Sequence, residues 1–72
     1  MAKPPVSNAV KDLRLRRKMT QERLAELAHL SRQSVISIEL GRFLPTIETA
    51  LRLAQALGVG VEDLFWLSEK RK

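Results

Sequence analysis

At 72 residues the chain holds one domain with a thin core, which needs well-capped helices or a second chain's surface to be stable. No cysteine and a single histidine, His29, leave no disulfide staple and imply no metal and no cofactor, and no acid, base and nucleophile stand together to suggest an enzyme. The formal net charge is +5 and it is uneven: residues 1–45 hold nine Lys/Arg against four Asp/Glu, residues 46–67 one against three, and residues 68–72 three against one, so the basic part either favours polyanions or is a solvated surface kept soluble by its charge.

In chain order, residues 1–5 carry two prolines and no periodic apolar positions, and residues 1–6 read as a flexible arm. Ser7 or Asn8 can cap a first helix through about residue 18, with Val10 and Leu13 inward and Arg14, Arg16, Arg17 and Lys18 in its last turn, where cations suit the dipole. Thr20 caps a second, two-turn helix whose apolar face is Leu24, Ala25, Leu27 and Ala28. After a turn at His29-Leu30, Ser31 caps a third helix to about residue 40, with Val35 and Ile38 on one face. Gly41 ends it in the left-handed region. Residues 42–45 connect to a fourth helix capped by Thr46, in which Ile47, Ala50, Leu51, Ala54 and Leu57 follow the helical period until Gly58. A short fifth helix spans residues 61 to about 67, with Glu62 and Asp63 in its first turn, and the basic tail, residues 68–72, is expected to fray. No alternating strand pattern of useful length occurs, so the fold class is all-α, one domain over residues 7–67. No apolar run approaches the roughly 18 to 20 residues that span a bilayer, and the N-terminus lacks a signal peptide's apolar stretch, which predicts a soluble, cytoplasmic chain.

The most informative segment is Thr20-Gln21-Glu22-Arg23-Leu24-Ala25-Glu26-Leu27-Ala28-His29-Leu30-Ser31-Arg32-Gln33-Ser34-Val35-Ile36-Ser37-Ile38-Glu39-Leu40-Gly41. Two short helices joined by a tight turn, the second opening on polar side chains that can make paired hydrogen bonds, is the geometry that lays a recognition helix in a major groove. Small Ala25 lets the helices cross closely, and Leu30 and Val35 close the core of the unit. Together with Leu13-Arg14, Pro45, Ala54, Leu57-Gly58-Val59 and Leu64-Phe65, this segment resembles the helix-turn-helix family of the lambda-repressor-like fold, the phage Cro and repressor proteins and their xenobiotic-response-element relatives, over residues 8–65. The resemblance implies a five-helix bundle and a sequence-specific DNA-binding transcriptional regulator, a repressor of prokaryotic or phage type associated with the nucleoid, that inserts its third helix in the major groove.

The resemblance also implies roles for single residues. Arg32, Gln33 and Ser37 face base edges with Ser34 close by; Arg suits guanine O6 and N7, Gln suits adenine N6 and N7, and a short Ser permits close approach. Gln21, Ser31 and Arg42 match positions that hold the phosphate backbone. Arg14 and Glu39 match a pair joining the first and third helices, a bridge that can also aim Arg14 at a phosphate. Family dimers implicate Val59, Val61 and Trp66 as the interface of a homodimer, with recognition helices about 34 Å apart on a palindromic operator of double-stranded DNA.

Some positions depart from the family pattern. His29 stands where relatives carry Gly or Asn, so either it adopts a positive φ or the turn differs. Ile36 and Leu40 replace residues that are commonly polar; four apart, they share a face that either packs on the Phe43-Leu44 loop or offers an apolar patch to a second subunit or another protein. Trp66 either covers the first helix or joins the interface. The alternatives to a free-standing regulator are an antitoxin-like interaction module using the Ile36/Leu40 and Trp66 regions, and the DNA-binding piece of a longer effector-sensing regulator.

Overall fold

A computed structural model describes residues 4–70. Five helices, α1 (Val10–Arg16), α2 (Gln21–Ala28), α3 (Arg32–Glu39), α4 (Ile47–Leu57) and α5 (Val61–Leu64), form an all-α bundle. Two three-residue strands, β1 (Val6–Asn8) and β2 (Phe65–Leu67), join the ends of the chain, and a 3-10 turn, Ser68–Lys70, follows. Residues 1–3 of the expected arm and 71–72 of the basic tail lie outside the described residues. Among the described residues no helix is long and apolar enough to cross a membrane.

The helix starts follow from hydroxyl caps. Thr20, Ser31 and Thr46 each accept from the backbone N–H three residues on, at 2.9, 3.1 and 3.1 Å, satisfying a donor that has no intrahelical partner. Their stops use the left-handed region: α2 ends on His29 at φ 59° and α4 on Gly58 at φ 72°. His29 therefore resolves its two alternatives in favour of the positive φ, a conformation histidine adopts more readily than branched residues do. The α1–α2 connection also contains a left-handed residue, Lys18 at φ 58°, which no residue preference announces. Arg17 reaches across to donate its Nε–H to the Leu57 carbonyl at 3.0 Å, so one cation of α1's end caps α4 instead.

The core is Val10 of α1, Leu24, Ala25 and Ala28 of α2, Val35 and Ile38 of α3, Leu53, Ala54 and Leu57 of α4, and Leu64 of α5. Leu13, Leu30, Val59 and Phe65 pack around it. The expected inner face of α4 needs correction. Leu53 is fully buried, whereas Ile47 is 80% and Leu51 53% exposed. Leu27 of α2 also turns outward, because Leu24, Ala25 and Ala28 already fill the narrow stripe that faces α3 and α4.

The sheet was not expected. β1 and β2 run antiparallel with Val6 opposite Leu67, Ser7 opposite Trp66 and Asn8 opposite Phe65. The fifth helix thus stops at Leu64, and Phe65 is already extended at φ −130° and ψ 140°. Hydrogen bonds finish the clasp: Ala9 N–H to the Leu64 carbonyl at 2.9 Å, Ser68 N–H to the Pro5 carbonyl at 3.0 Å, and the Ser68 hydroxyl to the Pro4 carbonyl at 2.7 Å. Because that bond uses the only Ser68 hydroxyl proton, the 2.7 Å contact between Ser7 and Ser68 has Ser7 as donor. Asn8 resolves the choice of cap for α1. Its Oδ1 accepts the Val10 N–H at 3.0 Å while its Nδ2 donates to the Ile38 carbonyl at 3.0 Å, tying the strand to the end of α3.

Urea denaturation checks the corrected core. Leu53→Ala is expected to cost about 2 to 5 kcal/mol, while Leu51→Ala, on the wet side of the same helix, stays within about 0.5 kcal/mol of the parent.

Candidate nucleic-acid interface

The surface that carries the expected base contacts is one side of α3. Val35 and Ile38, three apart, bury the inner stripe of this eight-residue helix, which leaves the polar side chains of its opening turn on the outer side. Arg32 and Gln33 are exposed and Ser34 and Ser37 half-buried. The α2–α3 turn is held by Leu30 N–H donating to the Ala25 carbonyl at 2.8 Å, and Ala25 itself is buried where the two helices meet. A larger side chain there would push them apart.

Gln33, Ser34 and Ser37 share an open groove with Ser31, Arg42 and Phe43. Five of the expected DNA-facing residues are therefore brought together on one wall, with Arg32 beside them in the exposed first turn of α3. At the far end of α3 the chain reverses: Gly41 takes φ 75°, Arg42 N–H donates to the Ser37 carbonyl at 2.9 Å, and Arg42 is returned to the groove. A side chain at position 41 would need that left-handed φ and would meet Pro4 at 3.4 Å. Among the described residues neither Arg32 nor Arg42 forms an ion pair, so both guanidinium groups keep their donors for an outside acceptor.

Arg14 and Gln21 are differently employed. Arg14 is only 7% exposed, and its Nε donates to Glu39 Oε2 at 2.7 Å while another guanidinium nitrogen reaches the Met19 carbonyl at 2.9 Å. Gln21 Nε2 donates to Glu39 Oε1 at 3.1 Å. Glu39, at the end of α3, thus gathers α1 and the start of α2 around one carboxylate, with its side chain 4% exposed. These bonds direct Arg14 inward. Gln21 retains a second amide proton and its oxygen at the exposed start of α2.

Ser31 and Ser34 form a hydroxyl pair. Ser34 N–H donates to Ser31 Oγ at 3.1 Å, and the two hydroxyl oxygens are 3.0 Å apart. One hydroxyl proton is consumed between them and one remains for an outside acceptor, so the pair both caps α3 and presents a donor in the groove.

Apolar surface gathers elsewhere. A second groove, almost wholly apolar, is lined by Val6, Leu44, Pro45, Thr46, Ile47, Ala50, Val61 and Phe65. Of the interface residues named from sequence, Val61 lies in it, Val59 packs against the core, and Trp66 sits half-buried in β2 facing the α1–α5 side with Asp12, Arg16 and Asp63. Leu44 and Ile47, 56% and 80% exposed, are the residues sequence reasoning missed. Ile36 is half-buried and Leu40 exposed, so the expected two-residue patch is mostly Leu40.

The helix-turn-helix family model matches residues 10–64. This chain belongs to the helix-turn-helix family. It is a DNA-binding transcriptional regulator of the lambda-repressor-like kind. An HTH-type transcriptional regulator of Bacillus subtilis (strain 168), YgzD, is 40% identical over 65 residues, which are 90% of this chain and 98% of that protein. The immunity repressor protein of Bacillus phage phi105 is 43% identical over 59 residues, 82% of this chain but 41% of the longer phage protein. Among solved structures, the restriction-modification controller protein C.AhdI from Aeromonas hydrophila superposes with a TM-score of 0.72 at 31% identity, covering 75% of this chain and 82% of that one. The clp gene regulator ClgR from C. glutamicum gives a TM-score of 0.70 at 29% identity over 76% of this chain and 71% of its own.

In this helix-turn-helix frame the Arg14–Glu39 pair is the interaction with most to lose. Glu39→Ala, followed by chemical denaturation, is expected to cost about 3 to 5 kcal/mol because it strands a buried guanidinium, whereas Arg23→Ala, which removes an exposed pair, costs about 1 kcal/mol at most.

Proposed function

We propose that the chain represses transcription in the cytoplasm by binding a palindromic operator as a homodimer, with the opening turn of α3 in the major groove. The observation that supports this most is the outward, solvent-accessible row of Arg32, Gln33, Ser34 and Ser37 on a helix whose other side is locked into the core. Arg32 and Gln33 are the sequence readers, bidentate to guanine and adenine respectively, and Ser34 and Ser37 allow the helix to approach closely. Ser31, Arg42 and the second amide proton of Gln21 hold phosphates and fix register. Arg14 acts through Glu39 and Gln21, setting the frame.

The homodimer reading rests on exposed Leu44 and Ile47, which line the apolar groove with Val61, while Val59 and Trp66 line a separate surface with Asp12, Arg16 and Asp63. So large a wet apolar surface on so small a domain is costly unless another surface covers it. A second copy related by a two-fold axis buries both grooves at once and presents the two recognition helices one DNA turn apart. Leu40, outside this groove and exposed, is the feature that supports an additional protein partner.

Selection of bound sequences from random duplex DNA, followed by mutants on the selected site, tests the division of roles. Arg32→Ala is expected to lose about 1 to 3 kcal/mol of discrimination at particular base pairs, and Arg42→Ala to weaken all sequences alike and lower the salt slope by about one. Equal losses on selected and random DNA for both variants would refute that division. Sedimentation of Ile47→Asp is expected to show a monomer where the parent is a dimer; an unchanged mass would remove this face from the interface.

A further inference from the structure

The exposed apolar side chains do not all belong to one surface. Leu44 and Ile47 border the apolar groove, but Phe43, 49% exposed, lines the other one with Ser31, Gln33, Ser34, Ser37 and Arg42. Of these six, Phe43 alone is apolar. It follows directly on Arg42, whose N–H is anchored on the Ser37 carbonyl, so the ring is held near the last polar residue of the recognition face. No core residue claims it, since it is absent from both the buried cluster and the side chains packed against it among the described residues.

We propose that Phe43 reads the C5 methyl group of a pyrimidine, a specificity contact made by the loop after α3 in addition to the helix's polar contacts. This rests on the reading of α3 as the major-groove helix. The argument is one of chemical matching: a half-wet aromatic ring set among hydroxyls and a guanidinium gains nothing from the phosphates those groups hold, and the C5 methyl is the apolar group that a base pair displays in the major groove. Thymine carries that methyl, and so does 5-methylcytosine. Ser31, Ser34 and Ser37, three of the groove's six lining residues, have short side chains, and the ring stays half exposed among them.

The test uses the selected operator with deoxyuridine replacing each thymine in turn, a change that removes one methyl group and keeps every hydrogen-bonding atom. The intact protein is expected to lose about fourfold in affinity at one thymine of each half-site, the value of one buried methyl. Phe43→Ala is expected to bind the thymine operator about fourfold more weakly and to be indifferent to uracil at that position, with unchanged affinity for random DNA. If uracil has no effect anywhere but 5-methylcytosine at one position tightens binding about fourfold in the intact protein and not in Phe43→Ala, the methyl belongs to a modified cytosine and the proposal holds. Indifference of the intact protein to both changes, or a uracil penalty that persists in Phe43→Ala, would overturn it while leaving the regulator reading intact. A Phe43→Ala protein that sediments as a monomer and weakens on all DNA alike would assign the ring to the subunit interface and overturn it as well. Failure to enrich any sequence from the random pool would overturn both readings together.

Discussion

The carboxylate of Glu39 is where this fold is tied. An eight-residue helix in isolation is far below the length at which helices persist in water, so α3 exists because other elements hold it. Val35 and Ile38 supply the apolar half of that hold, and Glu39 supplies the directional half by bonding Arg14 of α1 and Gln21 at the start of α2. Apolar packing alone leaves a short helix some freedom to roll or slide, whereas a carboxylate with partners on two other helices tolerates few orientations. Burial raises the stakes, since either charge left alone in the core is strongly disfavoured. The pair is thus weak evidence for stability as such and good evidence for a fixed angle between the recognition helix and its neighbours.

With α3 fixed in this way, the molecule divides its surface by chemistry. The polar groove along α3 carries the Arg42 guanidinium, which among the described residues has no ion-pair partner, and it shares no residue with the apolar groove between the 44–47 segment, β1 and α5. The other surface ion pairs, Arg23–Glu26 and Arg52–Glu48, are exposed and contribute little to stability, so they leave the division intact. A domain of this size buries too little to be generously stable by itself. In the proposed homodimer, the apolar side chains of Leu44 and Ile47 are the surface that a second copy covers, and that contact would set the spacing of the two recognition helices.

The helix-turn-helix was legible in the sequence because each of its parts has a local chemical signature: Thr20 and Ser31 as caps, Ala25 as the small residue at the crossing, Gly41 as the left-handed stop. The Arg14–Glu39 pair came only through the family resemblance, since two charges 25 positions apart carry no local signal. The inner face of α4 was misread for a different reason. Seven of its eleven residues are apolar, at 47, 50, 51, 53, 54, 56 and 57, so more than one stripe satisfies the period and only the neighbouring helices decide which is buried. The clasp between β1 and β2 was invisible because three-residue strands are too short to alternate recognisably, and their partners lie at opposite ends of the chain. Arg17's cap on Leu57 was hidden likewise, since a basic last turn already had an ordinary use at its own helix end.

The clasp adds a second restraint on the end of α3, independent of Glu39's partners. Asn8 bonds the Ile38 carbonyl, and Pro4 lies against Gly41, so the last turn of the recognition helix is gripped by the N-terminal strand, which is in turn gripped by β2 and Ser68. At its other end, Ser31's cap and the Leu30–Ala25 bond hold the first turn. A helix restrained at both ends presents its outward side chains with little entropy left to lose on binding, and that matters most when those side chains are short. In the proposed contact with DNA, Ser34 and Ser37 cannot reach for a partner as Arg or Lys can, so any contribution of theirs depends on the backbone being brought close and kept there. The serine-rich face and the doubly anchored helix are in this sense one device: the frame supplies the precision that the side chains lack in length.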